Sequence, residues 1–483
     1  MTNLVLFWHR RDLRLDDNIG LSAARQHSPK VVGVFCLDPQ ILNAEDVAPV
    51  RVTYMLGCLQ ALQTSYQQAG GQLLILHTSP VTGIPKLAKA LSAVAVYWNR
   101  DVEPYAQTRD LEVAGALKTQ GIGVQQFWDQ LLHAPDAIRT GAGQVYTVFS
   151  PFGRNWLGQP KPDPLPAITG LVSLTALEQT QAKQVGTLPL PTPAALGFDW
   201  SAELVLAPGE QAAQAQLTAF CENTIADYQD ARNYPAVAGT SYLSAALKFG
   251  VIGIRRVWQA TVVATAHCRT ETARSGIHTW RQELAWREFY QHVLYAFPEL
   301  AAGPYRQPFK DFPWQNNPDQ FQAWCDGMTG YPIVDAAMRQ LNLTGWMHNR
   351  CRMIVASFLT KDLLIDPRWG EKYFMQRLID GDLAANNGGW QWSASSGMDP
   401  KPLRIFNPTS QAQKFDGKAE YIRLWLPELR RVATADLVTG NIAKAEVEQY
   451  GYTLPIVDHN LQQRRFKELY KQQKQGQLSL ELE

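Results

Sequence analysis

The sequence predicts an α/β half followed by an all-α half. Three observations carry this. In the first 130 residues, five short apolar runs alternate with stretches of helical pattern. Residues 151–210 then hold nine of the chain's 29 prolines. From residue 209 onward the pattern is helical almost throughout. At 483 residues the chain also exceeds one ordinary core, so two domains are expected.

The apolar runs at 4–8, 31–37, 72–76, 94–98 and 124–128 read as buried strands. The helical patterns between them span roughly 18–27, 51–69, 82–91 and 104–120. Strand-helix alternation predicts a five-stranded parallel, Rossmann-like sheet covered on both faces. Neither GxGxxG nor a Walker motif follows the first strand, which argues against a nucleotide-phosphate site of those kinds. The loop after that strand holds His9, Arg10, Arg11 and Arg14. A salt-bridged loop docking the second domain is the favoured reading. Ligands of open α/β sheets bind beyond the strands' carboxyl ends. Cys36, Asp38, Arg51, Asp101 and Glu103 fall at that edge.

The proline-dense stretch reads as a long surface connector. Beyond it, nine of 15 tryptophans lie between 280 and 425, enough for a large core or for walls around a planar cofactor. The final segment, 461–483, is polar and reads as a fraying surface helix. Hydrophobic residues at 46% and charged at 18% fit a soluble globular protein. Six cysteines form no CxxC pair, as expected of reduced cytosolic thiols. No secretory leader pattern or bilayer-length apolar run is present in the sequence. With 45 basic and 44 acidic residues, nucleic-acid binding would need one local basic face.

The densest motif is 380–408. It joins Asp380, Asp382, Asn386, Asn387, Gly388, Gly389, Trp390 and Trp392. Ordinary helices avoid Asn-Asn-Gly-Gly, because a helical glycine costs about 1 kcal/mol. Paired glycines suit a sharp bend or close approach to something flat. A buried turn with two core tryptophans is the other reading. Thr240, Ser241 and Ser244 precede a helical run, where hydroxyls cap the helix or bind an anion. Glu283, Trp286, Arg287 and Tyr290 share one helix face by spacing, as do Asn349, Arg352 and Met353. Ordinary ion pairing and a polar helix patch are the plain accounts of these two faces.

FWHRRDLRLDDN at Phe7–Asn18, DGDLAANNGGWQW at Asp380–Trp392 and NPTSQAQKFD at Asn407–Asp416 together resemble the cryptochrome/photolyase family. The likeness spans essentially the whole chain. It is greatest to class I cyclobutane pyrimidine dimer (CPD) photolyases with a deazaflavin antenna. The resemblance implies an antenna domain at 1–130, a connector at 131–208, and a helical domain at 209–483 that binds FAD and the lesion. The implied activity is light-driven repair of CPDs in single- or double-stranded UV-damaged DNA. Anionic reduced FAD would pass an electron to a flipped-out lesion. The implied antenna is 8-hydroxy-5-deazaflavin, with methenyltetrahydrofolate as the alternative. Cys36, Asp38, Arg51, Asp101 and Glu103 would hold it, and Lys248 would face a deazaflavin phenolate. FAD would contact Tyr228, Thr240, Ser241, Leu243, Ser244, Trp280, Glu283, Arg287, Asn349, Arg352, Asp380, Asp382 and Asn386.

By the same resemblance, Trp286 and Trp392 wall the lesion pocket. Glu283 and Asn349 would hydrogen-bond the thymines, with Met353 and Tyr290 nearby. Arg232, Arg350, Lys401, Arg404 and Lys414 are the candidate phosphate rim. An amide at Asn386 tolerates neutral and anionic reduced flavin alike, whereas a carboxylate there would repel the anion. Plant-type cryptochromes carry Asp at that place, so Asn386 favours repair over a photoreceptor role. A (6-4) photolyase is disfavoured, because those enzymes carry a second histidine where Asn349 stands. Of three electron-relay tryptophans common in the family, Trp390 and Trp314 match, but Pro367 replaces the middle one. Trp369 or Tyr373 would offer a detour. No metal site, no membrane contact, and a cytoplasmic monomer are expected.

Overall fold

The computed structural model describes residues 3–398 and 403–480, the last five by backbone alone. Its sheet contains β1 (Val5–His9), β2 (Val31–Cys36), β3 (Leu73–Leu76), β4 (Ala95–Asn99), β5 (Gly123–Phe127) and β6 (Thr187–Leu188) in the order β5-β4-β1-β2-β3-β6. β1 and β2 are buried along their whole length, as their unbroken apolar runs require when both faces are covered. The first five strands pair in parallel, with Val5 opposite both Val31 and Ala95. Four helices follow the strands as expected, at Ile19–His27, Pro49–Gln68, Pro80–Ala90 and Pro104–Thr119.

The connector differs from expectation. It contains the helices Phe149–Gly158 and Ala176–Val185 as well as β6, which pairs antiparallel with β3. The sheet is therefore six-stranded and mixed. Thr175 and Glu178 form a reciprocal capping box at the second of these helices. That box is legible in Thr-x-x-Glu, but the surrounding prolines obscured it.

The chain packs as two units. One comprises residues up to Tyr146, Pro151–Ala226 and Ser241–Pro298; the other comprises Thr147–Ser150, Asp227–Thr240 and residues from Glu299 onward. In the first, the expected salt-bridged loop is present. Asp129 accepts from Arg14 at 2.6 Å and from Arg255 at 2.6 Å, and Arg255 also meets Asp17 at 2.6 Å. All four side chains are shut off from solvent. Burial raises the Asp129 carboxyl, but the two guanidiniums outweigh it and hold it below the usual range.

In the second unit the core gathers Trp324, Ile333, Leu341, Phe358, Phe374 and Trp390. The terminal helix begins at His459, earlier than expected, and buries Phe466 against Phe309 and Phe312. No helix among the described residues is long and apolar enough to cross a membrane.

Candidate functional site

Asp382 sets the geometry of the central motif. Its side chain accepts from the Ala385 amide at 3.0 Å and caps a helix at Leu383–Ala394. Asn-Asn-Gly-Gly is thus helical, contrary to the expected bend; the cap and tertiary packing override the glycine cost. A Cβ added at Gly389 would meet nothing within 4 Å. One turn earlier, Asn386 Nδ2 donates to the Glu371 carbonyl at 2.9 Å. That bond commits the amide nitrogen and leaves Oδ1 as the group available to an outside donor. Glu371 was not singled out in the sequence, since its anchoring group is a backbone carbonyl.

The helix Asn349–Lys361 packs against this one. Its N-cap is His348, whose ring nitrogen accepts from the Arg350 amide at 3.1 Å. Burial, then Arg350, Arg352 and Arg232, push the His348 imidazole down to about 4, so it is neutral at pH 7. Arg352 pairs with Asp380 at 2.9 Å and donates to the Met347 carbonyl. Asn349 is exposed, and Met353 is half-buried on the same helix. At its far end, Lys361 is fully buried and donates to Ser393 O, Ser395 Oγ and Arg404 O. It thereby ties down the chain bearing Trp392 and Arg404. Arg404 stacks over the Trp392 ring at 4.5 Å. A lysine closing an apolar helix was the sequence signal for this strut, and it was missed. Lys401 lies outside the described residues.

Arg232, Arg350 and Lys414 converge. The Arg350 guanidinium lies 4.2 Å and the Lys414 ammonium 5.2 Å from the centre of the Phe415 ring. Burial and the Arg232 charge lower the Arg350 pKa, which places those two cations in one field. Arg232 also stacks over Tyr228 at 5.4 Å.

In the first unit, Glu283, Trp286, Arg287 and Tyr290 project half-buried from the helix Glu271–Ala296. Trp286 and Tyr290 rings sit 5.5 Å apart, tilted by 32°. Arg287 donates to the Gln130 carbonyl at 2.9 Å. Trp280 is buried on the same helix against Phe220. Leu243, not Ser244, is the N-cap of the short helix Ser244–Phe249, so the expected serine cap is absent. Tyr242 at φ 54° turns the chain, and Ser241 Oγ instead accepts from the Leu243 amide. In the second unit, Thr240 Oγ1 is shut off from solvent without a partner among the described residues.

At the carboxyl edge of the sheet, Glu103 receives Arg11 at 2.8 Å and Lys248 at 3.5 Å, and Asp101 receives Arg11 at 3.3 Å. Asp38 caps the helix Pro39–Leu42 and accepts from Tyr105 at 2.5 Å. Cys36 is buried, which raises its thiol pKa. Arg51 donates to the Asp46 carbonyl at 2.8 Å.

Residues 5–169 match DNA photolyase, and residues 280–472 match the FAD binding domain of DNA photolyase. Over 470 residues, 97% of each chain, the sequence is 60% identical to a deoxyribodipyrimidine photo-lyase of Synechococcus sp.. The chain belongs to the DNA photolyase family. The Escherichia coli photo-lyase is 41% identical over 437 residues, 88% of this chain and 89% of that one. The class III photolyase structure from Agrobacterium tumefaciens matches with TM-score 0.87 at 36% identity, covering 98% of both chains. A Synechocystis sp. cryptochrome matches with TM-score 0.87 at 28% identity, covering 97% of this chain and 99% of that one.

The residues present fit the flavin of this photolyase family. The Thr240 hydroxyl, shut off from solvent with no partner among the described residues, is a group a bound ligand would satisfy.

Ring contacts lead from Trp390 to Trp369 and Tyr373. Trp390 is seated against Gly370, where a Cβ would collide with its ring. It meets Trp324 at 6.2 Å; Trp324 meets Tyr373 at 5.7 Å and Phe321 at 5.9 Å; Phe321 meets Trp369 at 5.1 Å. Trp314 belongs to a separate cluster with Phe312 at 4.4 Å. Asp366 caps the helix Pro367–Arg377 with Pro367 in its first turn, which is how the fold accommodates proline there.

Proposed function

We infer that this chain is a deoxyribodipyrimidine photo-lyase: a light-driven enzyme that repairs CPDs in UV-damaged DNA with FAD. The observation that carries the reading is 60% identity to such an enzyme along 97% of both chains. Neither the photoreceptor nor the (6-4) alternative is favoured. Light-dependent restoration of UV-irradiated oligothymidine tests it, and equal restoration in the dark would overturn it.

What FAD supplies when bound is a light-driven electron that opens the cyclobutane ring and returns, with no net redox change. The protein's work is binding, orientation and electrostatics. Asn386 Oδ1 would accept from the flavin's central N–H. The Arg352–Asp380 pair, Asp382 and Thr240 hold the cofactor, with Tyr228, Ser241, Leu243, Ser244, Trp280, Glu283 and Arg287 completing its shell. Trp286 and Trp392 receive the extruded lesion, whose removal from the stack costs a few kcal/mol. Glu283 and Asn349 hydrogen-bond its bases, and Met353 packs against them. The stack of Arg404 on Trp392 supports this role, because it fixes the ring's face. The sheet half holds an antenna, 8-hydroxy-5-deazaflavin in our assignment, beside the Asp101, Glu103 and Lys248 cluster. We assign residues 1–130 to the antenna and 209–483 to flavin and lesion, in a monomeric cytoplasmic enzyme.

The convergence of Arg232, Arg350 and Lys414 supports a local basic face despite the near-zero net charge. Removing one phosphate contact is expected to lower the magnitude of the salt slope on duplex DNA by about 0.9. A quadruple variant at Arg232, Arg350, Arg404 and Lys414 should therefore bind a lesion duplex weakly and with a flatter salt dependence. Unchanged affinity and slope would sink the assignment.

Pro367 interrupts the usual relay, so photoreduction of oxidised FAD is expected to be slow in this chain and faster in Pro367→Trp. The rings of Trp324, Phe321, Trp369 and Tyr373 offer the detour, so Trp369→Phe should slow it further. Bleaching of the flavin spectrum under blue light measures both effects. Wild type already matching Pro367→Trp, with Trp369→Phe silent, would refute gap and detour together. Repair by pre-reduced enzyme should be alike in all three.

A further inference from the structure

The second unit contains a cleft of about 770 Å³ that none of the ligand-binding roles above fills, although relay positions form part of its wall. That volume lies within the range of about 300–1,000 Å³ common to small-molecule sites. Trp390 and Trp314 both line it, with Pro367 in its wall, so two indoles border a space that receives no ring from residue 367. Phe309 and Tyr305 add aromatic surface. Such walls favour a flat aromatic guest by stacking, and a cationic one by attraction to the ring faces.

The charges and donors select further. Three acids line the cleft, Glu299, Asp366 and Glu371, against two bases, Lys310 and Arg368. Asp366 and Arg368 neutralise one another at 2.5 Å. Glu299 and Lys310 are exposed at the rim, which leaves Glu371 as the charge within. Its Oε1 accepts from Asn387 at 3.1 Å. Burial, opposed by that hydrogen bond, pushes the carboxyl up to about 7, so an arriving ammonium would stabilise its ionised form.

The donors nearby are already committed. Asn387 and Gln391 amides donate to the Leu300 and Gly303 carbonyls. The Tyr305 and Arg306 amides donate to Gln391 and Ser396. The cleft thus has acceptor capacity and aromatic faces, with the Asn387 and Gln391 side-chain amides and the Tyr305 and Arg306 backbone amides already engaged.

We propose that this cleft binds a small planar aromatic amine, stacked on the half-buried Trp314 ring with its ammonium on Glu371. The proposal stands independently of the repair reading, since it uses neither flavin nor DNA.

Calorimetry on the full flavin-loaded chain in the dark, at pH 8, tests it with tryptamine, indole and indole-3-acetate as probes. Tryptamine should bind one per chain, and indole-3-acetate at least tenfold more weakly. Glu371→Gln should weaken tryptamine at least fivefold while leaving indole nearly unchanged. Pro367→Trp, which fills the cleft from its wall, should abolish binding of both. Tryptamine affinity should also fall as pH drops below about 7, where Glu371 takes up a proton. Absence of tryptamine binding would overturn the proposal. So would equal binding of the acetate, or wild-type affinity in either variant. Flavin content and melting temperature establish that each variant is folded.

Discussion

Asn386→Asp is expected to lower CPD repair by about tenfold or more, with lesion affinity close to wild type. Two features of Asn386 act together. Its Nδ2 donates to the Glu371 carbonyl, which fixes the side chain's orientation. An aspartate lacks that donor and sets a carboxylate against the same carbonyl oxygen. On the proposed placement of the flavin, it would also set a like charge against the anionic reduced form. At an effective dielectric near 20, like charges about 4 Å apart repel by about 4 kcal/mol. Dithionite titration of the flavin, beside repair yield on pre-reduced enzyme, reads both consequences. Equal yield with the flavin as easily reduced as in wild type would show that the amide has no electrostatic role.

The second large effect is on folding. Asp129→Ala is expected to cost about 3–5 kcal/mol, the usual result of removing one partner from a buried charge network. Arg14 and Arg255 would both keep their charge without the carboxylate that now receives them. Neither can escape by losing its proton, since guanidinium stays charged in proteins. The Ile19 amide would lose its acceptor as well. A fall of several degrees in melting temperature and a larger insoluble fraction are the expected readouts. Asp129→Ala melting within about one degree of wild type would contradict this account.

Strand positions were readable because β1 and β2 are continuous apolar runs, which only a doubly covered sheet buries. β6 was not, because two residues carry no periodicity and their pairing with β3 is a long-range choice. The helix at Leu383–Ala394 went unread for a related reason. Local glycine cost argued against it, while Asp382, the deciding cap, looked like a chemical residue rather than a structural one. The resemblance named Arg352 and Asp380 as flavin contacts, but 28 positions of sequence separation offer no local clue to their pairing. Lys361 illustrates the opposite blindness. Its function is to hold three oxygens of distant residues, and no motif records that.

The pairing of β6 with β3 has a consequence for dissecting the molecule. A fragment ended near residue 130, where the parallel strands stop, would leave β3 as a bare edge. Unpaired N–H and C=O groups along such an edge template association with other chains. The two residues Thr187 and Leu188 therefore act as an edge guard, delivered by a segment that looks dispensable in the sequence. The same cut removes Arg255, leaving Asp129 with Arg14 as its remaining guanidinium in the network described. An isolated sheet half should thus aggregate when shortened to its strands and helices alone. A limited-proteolysis cut between residues 131 and 186 should be silent until the pieces are separated.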